Sequence, residues 1–167
     1  MKNVVFGILV IFFAFLSCRS DDDTIQRIDQ ILDIYMQDSQ GRDLLNTNTE
    51  GAFTSITMND VQGTTNNAPV TYSSLMTGDS IRYIRYMAGA RRVTIDSISP
   101  EDRTYESIIA LAITKRLTDS TNTVINDTLR IQYHWSPSVF QVSRVYYQNE
   151  LKFTKEPNVS NVVTIVK

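Results

Sequence analysis

Few side chains in this sequence are able to do chemistry, and a single histidine limits most catalytic schemes. His134 stands between Tyr133 and Trp135, so any Ser–His–Asp or Cys–His arrangement must use it. No Gly-x-Ser-x-Gly elbow occurs in the chain. Catalysis through His134 is therefore not expected, and a solvated strand histidine is predicted. A zinc site is not expected either, since zinc takes several Cys, His or carboxylate ligands.

Two groups of carboxylates are close in sequence: Asp96 with Glu101 and Asp102, and Asp119 with Asp127. A glycosidase needs two carboxyl groups about 5–9.5 Å apart across a cleft. Aspartate is also common where strands end and turns begin, as here. The chain has no calcium-loop motif and no glycine-rich phosphate loop. The prediction is a protein that is not an enzyme, with a glycan-directed surface hydrolase as the alternative.

The only cysteine, Cys18, follows a segment with the features of a secretory signal. Lys2 provides a positive charge, residues 4–16 form an unbroken apolar run of 13 residues, and Ser17 is a small residue before the cut. A membrane-spanning helix needs about 20 apolar residues, so a transmembrane anchor is the weaker interpretation. A plain secretory cut leaving a free thiol is another alternative. A lone cysteine at the cut predicts a covalent lipid on Cys18 and no other cofactor.

This segment resembles the type II signal peptide of bacterial lipoproteins, in which the cysteine becomes the mature N-terminus and carries acyl chains. Ser17 matches the position before the cut, whereas Phe15 and Leu16 depart from the commonest residues of that box. The resemblance covers residues 1–23. It implies anchoring in a membrane through acyl chains, and two or more such chains bind a membrane stably.

The four residues Ser20, Asp21, Asp22 and Asp23 are similar to the acidic export signal of surface lipoproteins of the Bacteroidota, of the flavobacterial type. The resemblance implies an outer-membrane protein that faces outward, with the periplasmic face as the alternative. The remainder is similar to β-rich lipoproteins of that phylum. Short Asp-Ser/Thr motifs also resemble the O-glycosylation motif of its exported proteins, which makes these residues candidates: Thr24, Ser80, Ser97, Ser120 and Thr128.

Removal of residues 1–17 would leave 150 residues, the size of one domain. This portion holds 15 basic and 18 acidic residues and has no basic stripe. Binding to nucleic acid is therefore not expected. We interpret residues 1–17 as the signal peptide, residues 18–27 as a lipidated acidic tether, and residues 28–167 as the folded domain.

The composition after the cut favours strands, with 18 threonines, 14 serines and all eight tyrosines. Residues 24–37 are ambiguous, because Ile25, Ile28, Leu32 and Tyr35 have helical spacing. Ile28, Leu32, Ile34 and Met36 also fit strand alternation, and a strand over residues 28–37 is preferred because everything after it is typical of β structure.

Further strands are predicted at intervals of about ten residues, and the longest of them, over residues 103–117, is predicted to be central and covered on both faces. Residues 139–147 and 150–154 are predicted to form a hairpin through Gln148 and Asn149. A strand that contains Pro69 is predicted at a sheet edge. Eight or nine strands without a βαβ rhythm predict an all-β fold, a single antiparallel β-sandwich of the immunoglobulin-like or a related type.

The repeated tripeptide at residues 81–86 places arginine and tyrosine together. It is interpreted as an edge strand with arginine stems passing the core, and a ligand-facing Arg–Tyr patch is the alternative. A non-catalytic binding or accessory module is the preferred function, with a glycan or an outer-membrane protein complex as partner. Six aromatic residues are candidates for the contact patch, with packing inside a sheet as the alternative role: Tyr83, Tyr86, Tyr133, Trp135, Tyr146 and Tyr147.

Overall fold

The computed structural model describes residues 25–118 and 121–167, which form eleven strands and no helix. The all-β prediction is thereby confirmed. The predicted signal peptide, Cys18, the acidic segment Ser20–Asp23, Thr24 and Ser120 lie outside the described residues. Within the described ranges there is no apolar helix long enough to cross a membrane. The strands are β1 (Arg27–Asp29), β2 (Leu32–Gln37), β3 (Phe53–Asp60), β4 (Tyr72–Met76), β5 (Arg82–Tyr86), β6 (Val93–Ser99), β7 (Asp102–Arg116), β8 (Asn122–Trp135), β9 (Val139–Tyr147), β10 (Glu150–Thr154) and β11 (Val162–Val166).

The larger of two sheets contains seven strands and is built around the long hairpin of β7 and β8. These two strands pair antiparallel from Arg103 opposite Trp135 to Arg116 opposite Asn122. β9 follows beyond β8. Each edge is shared by two short strands, because β1 and β10 pair with successive parts of β9, and β6 and β3 pair with successive parts of β7.

The smaller sheet has four strands in the order β11-β2-β5-β4. On β2, Leu32, Ile34 and Met36 are buried in alternation with half-buried residues, which confirms a strand rather than a helix there. They share one hydrophobic core with inward residues of the larger sheet such as Ile109 and Ile131. Full burial of each such side chain contributes roughly 1.5–3 kcal/mol, so this common core is the main stabilising feature.

Two details of pairing differ from the prediction of purely antiparallel sheets. β1 runs parallel to β9, and β11 runs parallel to β2. The first and last strands reach these neighbours through long connections, and alternation of apolar residues carries no information on direction. β5 lies between β2 and β4, so its interpretation as an edge strand was wrong, whereas β4, which follows Pro69, is at an edge as predicted.

The segment predicted as one strand over residues 28–37 is divided into two strands of different sheets, and the structure has eleven strands against the eight or nine predicted. A polar cluster fixes the division. Lys155 Nζ contacts Asp29 Oδ2 at 2.6 Å and Asn161 Oδ1 at 2.9 Å. The Asn161 amide donates to Asp29 Oδ1 at 2.7 Å and to the Ile31 carbonyl at 2.9 Å. The Asn161 side chain thereby pairs the Ile31 carbonyl at the point where the chain leaves one sheet for the other.

The hairpin of β9 and β10 is confirmed at its predicted boundaries. Its two turn residues, Gln148 and Asn149, have φ angles of 49° and 67°, the left-handed pair that a two-residue hairpin favours. The long central strand was predicted to be covered on both faces, and β7 is covered on one face only. Ile109, Leu111 and Ile113 are buried on the inner face of β7, whereas residues such as Ala110 on the outer face remain half-exposed.

Candidate functional site

Burial decreases along the inner face of the larger sheet, toward the end where β7 begins and β8 ends. Tyr105 and Trp135 point inward there but are only partly buried. Side chains of β6, which pairs with the same part of β7, are mostly exposed. This end of the inner face is therefore accessible to solvent, whereas the middle of the face is closed by the core.

A cleft of about 520 Å³ lies at this accessible end. Ligand sites commonly have volumes of about 300–1,000 Å³. Another cleft, of about 560 Å³, lies at the start of β3, so the two clefts are distinguished by the residues that line them rather than by their volume. We call the first one the aromatic cleft, and its lining residues are Gln26, Ile28, Gln30, Arg92, Tyr105, Trp135 and Phe140.

Strand pairing places the three rings of the aromatic cleft. Trp135 on β8 is opposite Phe140 on β9, and Tyr105 on β7 is opposite Tyr133 on β8. The Phe140 ring stacks on Tyr133 with a centroid distance of 5.5 Å and meets Tyr105 edge-on at 6.3 Å. Rings packed in this way form a fixed wall, because each is held by a neighbour as well as by its own strand.

Arg92 brings a positive charge to this wall. Its guanidinium carbon lies 4.8 Å from the ring centroid of Phe140 and 5.2 Å from that of Tyr133. Nη2 donates to Gln30 Oε1 at 2.7 Å and to the Ala88 carbonyl at 3.1 Å, while Nε is buried without a hydrogen-bond partner. Burial raises the pKa of Tyr133, so the ring beside Arg92 is a neutral phenol and does not neutralise the guanidinium.

Two amide side chains complete the polar part of the aromatic cleft. Gln26 Nε2 donates to the Ser136 carbonyl at 2.6 Å, and this bond leaves its Oε1 as an acceptor. Gln30 Oε1 accepts from Arg92, which leaves its Nε2 as a donor. Both residues belong to the chain immediately around β1. The cleft therefore combines aromatic faces with one free acceptor, one free donor and a cation.

The six aromatic residues predicted as a contact patch do not form one surface. Tyr86 and Tyr147 are buried in the core, and Tyr133 lies buried beside the cleft. Trp135 alone lines the cleft. Tyr83 stacks on Tyr35 with a centroid distance of 5.2 Å, and Tyr146 lies under Arg130 at 4.2 Å. Neighbouring tyrosines point to opposite faces because side chains alternate along a strand, as at residues 146 and 147.

The Arg–Tyr repeat is explained by packing on the smaller sheet. Arg85 makes a bidentate ion pair with Asp33, with both nitrogen–oxygen distances at 2.8 Å. Its guanidinium carbon also lies 5.5 Å from the Tyr83 ring centroid. The hydrogen bonds that Arg85 donates to the Asp33 carboxylate raise the pKa of Arg85. Its charge is already satisfied by a neighbouring strand, so this pair does not offer a free cation to a ligand.

Three of the carboxylates considered for catalysis have partners in the structure, whereas Asp119 lies outside the described residues. Asp102 Oδ1 lies 3.4 Å from His134 Nδ1. Asp127 is buried and accepts hydrogen bonds from Tyr147, Lys167 and Gln148. Asp96 accepts a hydrogen bond from the backbone of Ser97 at 2.8 Å. Over residues 25–118 and 121–167, no group of three or more His, Cys, Asp or Glu side chains is arranged to hold a metal ion.

The described candidates for O-glycosylation differ in accessibility. Ser80 lies in an exposed turn and Ser97 lies on the exposed strand β6. Thr128 is half-buried on the interior strand β8, and the preceding Asp127 is buried. A modifying enzyme can reach Ser80 and Ser97 more easily than Thr128.

Sequence reasoning identified Trp135 but missed the rest of the aromatic cleft. Gln26 and its hydrogen-bond partner Ser136 are 110 residues apart in the chain, and no local pattern links them. No sequence signal singled out Arg92, which follows another arginine and precedes Asp96 by four residues. Comparison with protein-family models, with curated proteins and with solved structures finds no match for this chain.

Proposed function

We propose that this protein is a lipid-anchored outer-membrane lipoprotein that binds a glycan in the aromatic cleft and does not catalyse its conversion. Anchoring rests on the signal-like segment that ends at Cys18, and outward orientation rests on the acidic residues 21–23. Two sheets around one core support a β-sandwich of the immunoglobulin-like or a related type. An outer-membrane complex remains a further proposed partner.

The composition of the aromatic cleft is the observation that carries the binding proposal. Pyranose rings present apolar faces that stack on aromatic side chains, together with hydroxyl groups that both donate and accept hydrogen bonds. The rings of Tyr105, Trp135 and Phe140 provide the apolar surfaces. The free amide atoms of Gln26 and Gln30 provide one acceptor and one donor. This combination matches a sugar better than it matches a wholly apolar ligand.

A binding role without catalysis is supported by the environment of the carboxylates. A glycosidase requires a carboxylic acid with a raised pKa. Burial alone would raise the pKa of Asp127, but hydrogen bonds from Lys167 and Tyr147 outweigh it and lower the pKa. Among the described residues, the lining of the aromatic cleft contains no carboxylate. A hydrolase using the pairs predicted from sequence is therefore the weaker proposal.

The binding proposal predicts that Trp135→Ala weakens glycan binding about 30-fold, the equivalent of about 2 kcal/mol for removal of a central aromatic residue. Binding is measured first on a glycan array and then by titration calorimetry with the best ligand. Tyr146→Ala is the control, since it removes a ring from the outer face of the larger sheet. Wild-type affinity in Trp135→Ala, or no glycan bound by the unmodified protein, would contradict the proposal.

The anchoring proposal predicts that Cys18→Ala abolishes incorporation of a labelled fatty acid and leaves uncleaved precursor. The thiolate is the only group in the chain that can receive the lipid in this position. Metabolic labelling followed by partition into detergent measures the effect. Ser17→Ala keeps a small residue before the cut and serves as the control. Persistent labelling of Cys18→Ala would show that the anchor lies elsewhere.

A further inference from the structure

We propose that the aromatic cleft selects a sugar that carries a carboxylate, which Arg92 binds. This inference rests on the proposed glycan-binding function and adds the chemical class of the ligand. Three observations among residues 25–118 and 121–167 carry it: Arg92 has unused donors, no carboxylate of these residues pairs with it, and amide atoms of Gln26 and Gln30 on either side are without hydrogen bonds.

Arg92 has hydrogen-bonding capacity that the described residues do not use. A guanidinium has five N–H donors. In Arg92, Nη2 donates the two hydrogen bonds that the side chain forms with the described residues, to Gln30 and to the Ala88 carbonyl, while Nε is buried without a partner. The Nη1 atom forms no hydrogen bond with the described residues, and unlike Nε it is not one of their fully buried unpaired atoms. An anion in the cleft can therefore meet Nη1 without displacing a protein acceptor.

The charge of Arg92, like that of most of the described arginines, is not paired with a carboxylate of the described residues. Arg42, Arg85 and Arg130 each lie within 4 Å of a carboxylate oxygen. Within the described ranges, Arg92 has no such partner. Arg103, whose guanidinium carbon lies 5.3 Å from the Trp135 ring centroid, has none either. Two cations without carboxylate partners thus lie against the aromatic rings at this end of the sheet.

The environment strengthens a bond between Arg92 and an anion. Its guanidinium lies against two rings and is only partly exposed, so water competes less for its donors than at an open surface. A hydrogen bond between two charged groups is roughly twice as strong as one between neutral groups. The hydroxyl groups of a neutral sugar can accept from these donors only as uncharged partners, whereas a carboxylate forms the stronger charge-assisted bonds.

The neighbouring amides favour a sugar over another carboxylate-bearing ligand. Gln26 Oε1 requires a donor and Gln30 Nε2 requires an acceptor, and a hydroxyl group can serve as either. A uronic acid or a related acidic sugar has hydroxyl groups on the same ring as its carboxylate. Its ring face can also contact Trp135, which is only partly buried, so all three kinds of lining group are used at once.

The test compares matched oligosaccharides whose carboxyl group is either a free carboxylate or an uncharged methyl ester. Full-length protein in mild detergent is titrated with trigalacturonate, with an alginate trisaccharide, and with 3′-sialyllactose, each as the free acid and as the methyl ester. At least one free acid is expected to bind about tenfold or more tightly than its ester. This ratio depends on no variant, so it remains informative even where a substitution affects folding.

Variants then assign the preference to Arg92. Arg92→Gln is expected to bring the affinity for the acid close to that for the ester, and Arg92→Lys is expected to retain part of the preference. Arg91→Gln is the control, because Arg91 is an exposed neighbour of similar charge. Equal affinity for the free acids and their esters would overturn the acidic-sugar inference and leave the glycan-binding proposal intact. Equal binding of acidic and neutral glycans on an array would have the same consequence. Binding of no glycan at all would overturn both.

Discussion

Replacing Asp29 with alanine is expected to lower the free energy of unfolding by about 3 kcal/mol. The side chain of its partner Lys155 is only 8% exposed, and the two groups are 2.6 Å apart. Removal of one member of a buried ion pair costs about 3–5 kcal/mol, since it leaves the other charge without compensation. Asn161 would lose an acceptor in the same step. Urea unfolding of the chain from Thr24 onward measures the loss.

The control for this prediction is an ion pair of similar length at the surface. Glu150 Oε1 lies 2.8 Å from Lys152 Nζ, and the Glu150 side chain is 71% exposed. Glu150→Ala is expected to cost less than about 1 kcal/mol, as exposed pairs usually do. Asp29→Asn should fall between the two alanine variants because it retains an acceptor for Lys155. Equal losses in Asp29→Ala and Glu150→Ala would show that burial of Lys155 does not set the energy.

Replacing Asp127 with alanine is expected to cost about 3 kcal/mol as well. The carboxylate side chain is 3% exposed and accepts hydrogen bonds from Lys167, Tyr147 and Gln148. Its removal leaves the buried phenol of Tyr147 and the ammonium group of Lys167 without their acceptor. Burial and the bond to Asp127 both raise the pKa of Tyr147, so the phenol remains a donor at neutral pH.

The same carboxylate should make stability depend on pH in acid. The pKa of Asp127 is lowered in the folded protein, so the unfolded chain takes up the proton first as the pH falls. Its contribution is complete above the unfolded value, near pH 4, and is lost as the pH drops through the folded value. The difference in unfolding free energy between wild type and Asp127→Asn should therefore shrink between about pH 5 and pH 2. A difference that stays constant over this range would contradict the assignment.

Alternation of apolar and polar residues was sufficient to predict most strands. β9 and β10 were predicted at their observed boundaries, and the left-handed turn between them follows from the short loop. The pairing partners were not predictable in the same way. β1 and β2 are consecutive in sequence but belong to different sheets, and the reason is a cluster that includes Lys155 and Asn161, far along the chain. A contact between residues so far apart in the chain produces no pattern in the local sequence.

The aromatic cleft was beyond prediction for a related reason. Its residues come from β1, β7, β8, β9 and the turn before β6, so it exists only after the strands are placed beside one another. The six aromatic residues selected from sequence were chosen by type, and type does not say which face a side chain occupies. Tyr86 and Tyr147 were selected but point into the core and are buried there. Tyr105 and Phe140 were not selected, although they line the cleft.

The position of β1 has a mechanical consequence for a protein held at Cys18. Only six residues lie between Cys18 and Ile25, a reach of at most about 25 Å, so tension in the proposed tether would enter the domain at β1. That strand has three paired residues on β9, and the last of them, Asp29, is also held by Lys155 and Asn161. Under a steady pull, β1 would separate before the core strands, and the lining of the cleft would change because Gln26 and Ile28 belong to it. The proposed anchor and the proposed ligand would then be coupled through one short strand.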